Sequence, residues 1–248
     1  MTPKKIYFAS DFHLGAPNYN KSRERELVLI KWMDQIKNDA DEIYLIGDLF
    51  DFWFEYKYTI PKVPIRFLGK LTELIDKGIK IHVFTGNHDM WMNEYLEKEL
   101  GLRIIREPIF AIINDKKFHI GHGDGLGPGD KKYKLIKKIF ANKLCQWLFA
   151  RIHPNLGFEI AYVWSKKSRE KESEGNNEFL GETKEWLIQY CNQILKREHI
   201  DFFVFGHRHL PIEHSLNDHS LYVNLGDWIE HFTYAVFDGR KLDLKKFN

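Results

Sequence analysis

At 248 residues, with 44% hydrophobic and 15% aromatic side chains, the chain is long enough for one large domain or for one domain carrying an insertion. Its formal net charge of +2 gives no general electrostatic case for nucleic-acid binding, and Cys145 and Cys191, without CxxC spacing, argue for a reducing compartment and against a disulfide framework. No signal-type stretch follows Met1 and no apolar run approaches membrane-spanning length, so the expected location is cytoplasmic, at most peripheral to a membrane.

The N-terminal half alternates short apolar runs with amphipathic segments. KIYFAS (5–10) reads as a buried strand, and 21–38 as a helix with Leu27, Ile30, Met33 and Ile36 inward. EIYLIG (42–47) is a second strand, 64–77 a second helix and KIHVFTG (80–86) a third strand, which is the βαβαβ rhythm of a layered α/β sheet. Strand then follows strand in RIIRE (103–107), PIFAIIN (108–114) and KKFHIG (116–121). Residues 131–197 read mostly as helix, interrupted by HPNLG (153–157) and by the polar SKKSREKESEGNNE (165–178). Strands resume in DFFVFG (201–206), LYVNLG (221–226) and TYAVFD (233–238), so the expectation is a two-sheet α/β domain with a helical insertion.

Metal-type side chains stand wherever one of these strands ends. SDFH places Asp11 and His13 two apart, on one side of an extended segment. GDLFD puts Asp48 after the second strand, and GNHD puts Asn87 and His88 after the third. GHGD and GHRH add His122, His207 and His209. Functional groups of open α/β sheets collect at the carboxyl ends of strands, so these positions should meet at one edge. A lone buried aspartate or histidine is more often a hydrogen-bonded core residue than a ligand, but five such motifs in one chain have no common structural cause.

Carboxylate, imidazole and amide oxygen without thiolate suit Mn, Fe, Zn or Mg, and seven candidates exceed what one open catalytic ion takes. Two ions sharing Asp48 fit better, because a cation on each side offsets the cost of burying that carboxylate among Leu49, Phe50, Phe52 and Trp53. Asp51 and Asp89 then read as groups that orient the ligands or the bridge. The histidines at 82, 119, 153, 199, 214, 219 and 231 fall outside the motifs and read as structural or solvated.

The ordered set Asp-x-His, Gly-Asp-x-x-Asp, Gly-Asn-His-Asp, Gly-His and Gly-His-x-His, spanning residues 11 to 209, resembles the calcineurin-like metallophosphoesterases. The resemblance implies a four-layer αββα sandwich with a dinuclear centre: Asp11, His13, Asp48 and His209 on one ion, with Asp48, Asn87, His122 and His207 on the other. More narrowly, SDFHLG, GDLFDFW, GHGDGLGPGDKKY and NLGDW look like the UDP-2,3-diacylglucosamine pyrophosphohydrolases of lipid A biosynthesis. That likeness implies a helical lid over 126–185 inserted into a core of 1–125 and 186–248. It also implies two divalent ions, Mn2+ foremost, and substrate contacts from Asn87, His88, Asp130, Tyr133 and Ser168. Proteobacterial members carry Asn-Arg-Asp where this chain has NHD, so His88 departs from that branch and restores the wider superfamily pattern.

The implied reaction is hydrolysis of a nucleotide-sugar pyrophosphate to UMP and the acylated sugar 1-phosphate. Asp48 and Asn87 serve it through the ions, and His88 neutralises developing charge or protonates the leaving oxygen. Tyr133, Ile136, Phe140, Leu144, Trp147 and Leu148 follow helical spacing among Lys131, Lys132, Lys134, Lys137, Lys138 and Lys143. That pattern suits an interfacial helix or an anionic funnel as well as it suits an ordinary solvated lysine face. The expected partners are the lipid-linked nucleotide sugar and the inner-membrane surface, with neither nucleic acid nor an obligate protein partner. Two alternatives stand beside this reading. A phosphoesterase of soluble substrates would need no apolar lid, and a non-catalytic scaffold would not need the intact ligand set.

Overall fold

The computed structural model describes residues 4–62, 64–128, 131–173 and 178–248, without the side chains of 131–133 and 171–173. The alternating first half folds as β1 (Lys5–Ala9), α1 (Tyr19–Ile36), β2 (Ala40–Ile46), α2 (Ile65–Asp76), β3 (Lys80–Phe84), α3 (Tyr95–Leu100) and β4 (Arg103–Ile105). Then come β5 (Ile109–Ile113) and β6 (Lys116–Gly121), and the helices α4 (Lys131–Ala141), α5 (Lys143–Phe149), α6 (Pro154–Ser173) and α7 (Trp186–Leu195). The chain closes with β7 (Phe202–Phe205), β8 (Pro211–Asn217), β9 (Ser220–Leu225), β10 (Thr233–Phe237) and β11 (Leu242–Lys246).

One sheet has the order β11-β10-β1-β2-β3-β4, and the other β5-β6-β7-β9-β8. Strands β1 to β4 are mutually parallel, as are β6, β7 and β9, while hairpin-connected β5, β8 and β11 pair antiparallel at sheet edges. Period-two alternation assigns each side chain to a layer. Ile6, Phe8, Tyr44, Ile46 and Phe84 meet Phe118, Ile120, Val204 and Val223 between the sheets. Tyr7, Ala9, Ile43, Leu45 and Val83 instead pack under Leu29, Trp32, Met33 and Leu71 of α1 and α2. On the far side Phe203, Phe205 and Tyr222 are covered by Leu187, Ile188 and Cys191 of α7. The result is helix, sheet, sheet, helix, with both sheets' parallel strands delivering their carboxyl ends to one rim.

Four local expectations are corrected. The buried face of α1 is Ser22, Arg25, Glu26, Leu29, Trp32, Met33 and Ile36, while Leu27 is 41% exposed. Apolarity misplaced the phase because Arg25 and Glu26 face inward to serve loop backbone: Arg25 donates to Phe12 O and Ala16 O, and Glu26 accepts from Phe67 N. The polar run from Ser165 continues α6 to Ser173, since lysine, arginine and glutamate are good helix formers and polarity there marks an exposed face. The short α3, β8 and β11 add to the expected elements; α3 ends on Gly101 in the left-handed conformation and spans little more than one turn, too short for periodicity to register. Finally, the single aromatic stripe of 133–148 is split between α4 and α5.

The split sorts the aromatics. Phe50 and Trp53 lie in the core beneath α2, their rings tilted at 35° with centroids 4.7 Å apart. Phe52, Phe54, Tyr56 and Trp91 form a wall against which Phe140, Phe149 and Phe158 of the helical segment pack, with centroids 4.8–6.2 Å apart in most pairs. Trp91 Nε1 also donates to Phe140 O at 2.7 Å. By contrast Leu144, Trp147 and Leu148 are more than half exposed. Among the described residues no helix is long and apolar enough to cross a membrane.

Candidate metal centre

The candidate ligands sit on turns that only a constrained backbone can make. Asp11, His13, Asp48, His207 and His209 all have positive φ, between 43° and 64°, a conformation costly for residues other than glycine. Strain concentrated at five such positions marks a site where the surrounding fold holds side chains against local preference. The glycines of the motifs serve close approach. A Cβ on Gly86 would lie 2.6 Å from Asp48 N and 2.7 Å from Asp48 Cγ, and one on Gly206 would lie 2.5 Å from Asp11 Oδ2.

All seven ligand-type residues named from the motifs converge on the rim. On one side Asp11 Oδ1 is 3.4 Å from His209 Nε2 and 4.0 Å from His13 Nε2, and the two imidazole nitrogens are 3.2 Å apart. Asp48, His122 and His207 gather next to it, with ligand atoms within 4.8 Å of one another. There Asp48 Oδ2 is 3.3 Å from His122 Nε2, and Asn87 Oδ1 is 3.1 Å from the same nitrogen. Asp48 Oδ2 is also 3.7 Å from His13 Nε2, so it faces both groups, yet it is buried with no hydrogen-bond donor among the described residues.

These residues fit two divalent cations. Donor atoms about 2.0–2.2 Å from a shared ion stand roughly 3.0–3.5 Å from each other, close to the spacings here. His209 Nδ1 donates to Asp227 Oδ2 at 3.1 Å and His122 Nδ1 to Ile46 O at 2.9 Å, which leaves each Nε2 lone pair facing the centre. A buried carboxylate oxygen without a donor, beside the inward lone pair of His122, is a poor arrangement unless cations complete it. Asp11, His13 and Asp48 are fully buried, whereas Asn87, His207 and His209 are partly exposed, so the centre opens on that side.

Around the ligands lies a shell of acceptors. Asp48 Oδ1 accepts from His88 N at 2.8 Å, and Asp11 from His207 N at 3.1 Å. Asp89 accepts from Leu49 N and Gly86 N, both at 2.7 Å, and so fixes the loops on either side of Asp48. Burial and the nearby Asp48 carboxylate raise its pKa to about 7. Burial also pushes Asp48 upward, but His122, His88 and His13 outweigh it and hold Asp48 well below the usual carboxylate range. For His13 burial prevails and lowers the imidazole pKa, which favours the neutral, ligating form.

A third cluster, His13, Asp51 and His88, has the same compactness. It does not call for a third ion, because Asp51 already carries a guanidinium: Arg169 of α6 pairs with Asp51 Oδ1 and donates to Ser165 Oγ at 2.7 Å. Ser165 Oγ in turn lies 2.9 Å from His88 Nδ1, which also donates to Asp51 O at 3.1 Å. Motif reading missed Ser165 and Arg169, one turn apart on a helix whose end it treated as a break. No local pattern marks them; in the fold both are sheltered among the exposed Trp164, Lys166 and Lys167. Ser168, the serine expected to meet substrate, is half-buried on the same helix. Asp130 lies outside the described residues, and Tyr133 stands in the first turn of α4 with its side chain undescribed. Asp124, also missed, is buried beside His122 and ion-paired to Lys137 at 2.7 Å.

The family described as calcineurin-like phosphoesterase matches residues 4–211. The UDP-2,3-diacylglucosamine hydrolase of Porphyromonas gingivalis is 40% identical over 97% of this chain and 97% of its own length. That of Histophilus somni is 29% identical over 91% and 92%. Among solved structures, Yfce, a phosphoesterase from E. coli, matches with a TM-score of 0.48 at 15% identity, covering 98% of this chain and 93% of that one.

Proposed function

The chain belongs to the calcineurin-like phosphoesterase family, and from that membership and its 40% identity to a UDP-2,3-diacylglucosamine hydrolase we propose that it hydrolyses the pyrophosphate of UDP-2,3-diacylglucosamine to UMP and 2,3-diacylglucosamine 1-phosphate. The observation that carries the reading is Asp48 Oδ2, buried without a donor between His13 and His122. In this reading Asp11, His13, Asp48 and His209 would hold one divalent ion and Asp48, Asn87, His122 and His207 the other, Mn2+ foremost. Such a pair supplies Lewis acidity to phosphoryl oxygens and lowers the pKa of bound water.

The protein's own groups position and shield. Asp227 and Ile46 O hold the rings of His209 and His122, so the ligand atoms cost no reorganisation when substrate arrives. His88, its ring 4.7 Å from that of His13 and its Nδ1–H donated to Asp51 O, is steered toward the centre, where the doubly protonated ring would use Nε2–H to stabilise charge on the leaving oxygen or to protonate it. Asn87 adds a neutral amide to the open side.

The segment α4 to α6 acts as the lid. Its inner aromatics are anchored on Phe52, Phe54, Tyr56 and Trp91, while Leu135, Ile139, Leu144, Trp147, Leu148, Ile160, Val163 and Trp164 are exposed around Lys138, Lys143, Lys166 and Lys167. Apolar groups edged by lysine suit acyl chains and the anionic face of the inner membrane, each buried methylene contributing about 0.8 kcal/mol. The test is turnover of UDP-2,3-diacylglucosamine by the Mn2+-loaded protein, with UMP measured, beside UDP-glucosamine. Strong preference for the acylated compound is expected. Equal turnover would overturn the lipid reading in favour of a soluble nucleotide-diphospho substrate.

A further inference from the structure

The cations near the centre are unequally engaged. Arg25 is spent on the carbonyls of Phe12 and Ala16 beneath the first motif. Arg208 is fully buried and held by Glu185 and by Glu178 O. Lys137 is paired with Asp124. Arg169 differs: both its contacts, to Asp51 Oδ1 and Ser165 Oγ, use Nη1, and among the described residues its Nη2 and Nε have no hydrogen-bond partner. Its side chain is 15% exposed, so it is sheltered without being sealed. It stands one residue away from the ligand ring, since Asp51 Oδ1 is 3.7 Å from His13 Nδ1 and Ser165 Oγ is 2.9 Å from His88 Nδ1.

A guanidinium fixed through one nitrogen keeps a planar edge of donors for a second anion, the geometry that binds phosphate bidentately. Holding it costs side-chain entropy on an exposed helix, and Asp51 and Ser165 have already met that cost before substrate arrives. We propose that Arg169 is a substrate-binding residue: its Nη2 and Nε engage a phosphoryl group of the substrate at the centre, with Asp51 and Ser165 holding the guanidinium in place. The proposal rests on the pyrophosphate reading above. It assigns the helical segment a charged contact at the reacting group in addition to its apolar cover.

The test uses the Mn2+-loaded full chain and two phosphate monoesters, UMP and glucosamine 1-phosphate, bound in a calorimeter without turnover. Arg169→Gln should retain two equivalents of metal and weaken one or both ligands about 10- to 100-fold. Which ligand loses affinity tells which half of the substrate Arg169 holds. Arg169→Lys should recover part of the loss, because charge is kept and the fork is not. Ser165→Ala should weaken the same ligand by a smaller factor. If Arg169 only fastens α6 to Asp51, limited proteolysis within α6 will accelerate in Arg169→Gln while affinity for both ligands stays within twofold of the unaltered protein, and the proposal is overturned. Should Arg169→Gln fold poorly or lose metal, Arg169→Lys decides alone: its affinity must fall at least severalfold with metal content intact, and unchanged affinity refutes the contact. None of these readouts uses an acylated compound, so this proposal and the lipid reading fail separately.

Discussion

Gly86→Ala adds one carbon at the point where the third motif presses on the second. Gly86 does not have a left-handed φ, so alanine meets no intrinsic backbone penalty and the effect is steric alone. The new Cβ would lie 2.6 Å from Asp48 N and 2.7 Å from Asp48 Cγ, against about 3.4 Å for an ordinary contact, so the Asp48 turn or the Gly86 turn must yield by about 0.8 Å. Asp48 cannot move outward cheaply, because Oδ1 holds His88 N at 2.8 Å and the residue is fully buried. Ligand bonds of about 2.0–2.2 Å do not survive such a shift, and misplacement on the order of 1 Å costs on the order of 100-fold in rate. Overpacking itself should cost about 1–3 kcal/mol of stability. The expected outcome is metal content well below two equivalents by elemental analysis, activity down by at least about 100-fold and a lowered Tm. Gly69→Ala is the control, on the surface of α2 with no atom within 4 Å of the new carbon, and should be neutral or slightly stabilising. Two equivalents of metal and near-normal turnover in Gly86→Ala would refute the shared-carboxylate reasoning.

Three further outcomes are expected. His88→Asn should keep both metal equivalents and lower kcat by about 10²- to 10⁴-fold with a smaller change in KM, and an unchanged kcat would remove His88 from the chemistry. Trp147→Ser, at a residue 53% exposed, should leave Tm near its starting value and weaken sedimentation with anionic vesicles. Phe140→Ser, packed on Trp91 and Trp164, should lower Tm instead, so equal behaviour of the two would contradict the sorting of these aromatics. At Glu42 burial pushes the carboxyl pKa up, but Lys80, His82 and Tyr44 outweigh it and depress the folded value. The associated stability is present above the unfolded carboxylate pKa of about 4.3 and is lost as the pH falls through the folded one. Glu42→Gln should therefore lower Tm by about 1–3 °C at pH 7 and by much less near pH 3, and a pH-independent difference would refute it.

What the sequence determined by itself were the features that depend on short-range chemistry. Strand runs put Asp11, Asp48, Asn87 and His122 at carboxyl ends, the last three directly after a glycine, and parallel connection then brings such ends to one rim whatever the details of packing. The glycines were legible for the same reason: a side chain at 86 or 206 collides with the neighbouring ligand, a constraint written in residue type. The tertiary structure decided everything that depends on which surface meets which. The phase of α1 followed buried Arg25 and Glu26 and not its leucines, because an inward charge is stable only where carbonyls or amides receive it. Phe52 and Phe50, two residues apart, went to different neighbours, one to the helical segment and one to the core, a choice fixed by whether α6 lies over that loop. Ser165 and Arg169 could not be read beside Asp51 and His88, since 118 residues of chain separate Arg169 from Asp51 and no local pattern encodes that contact.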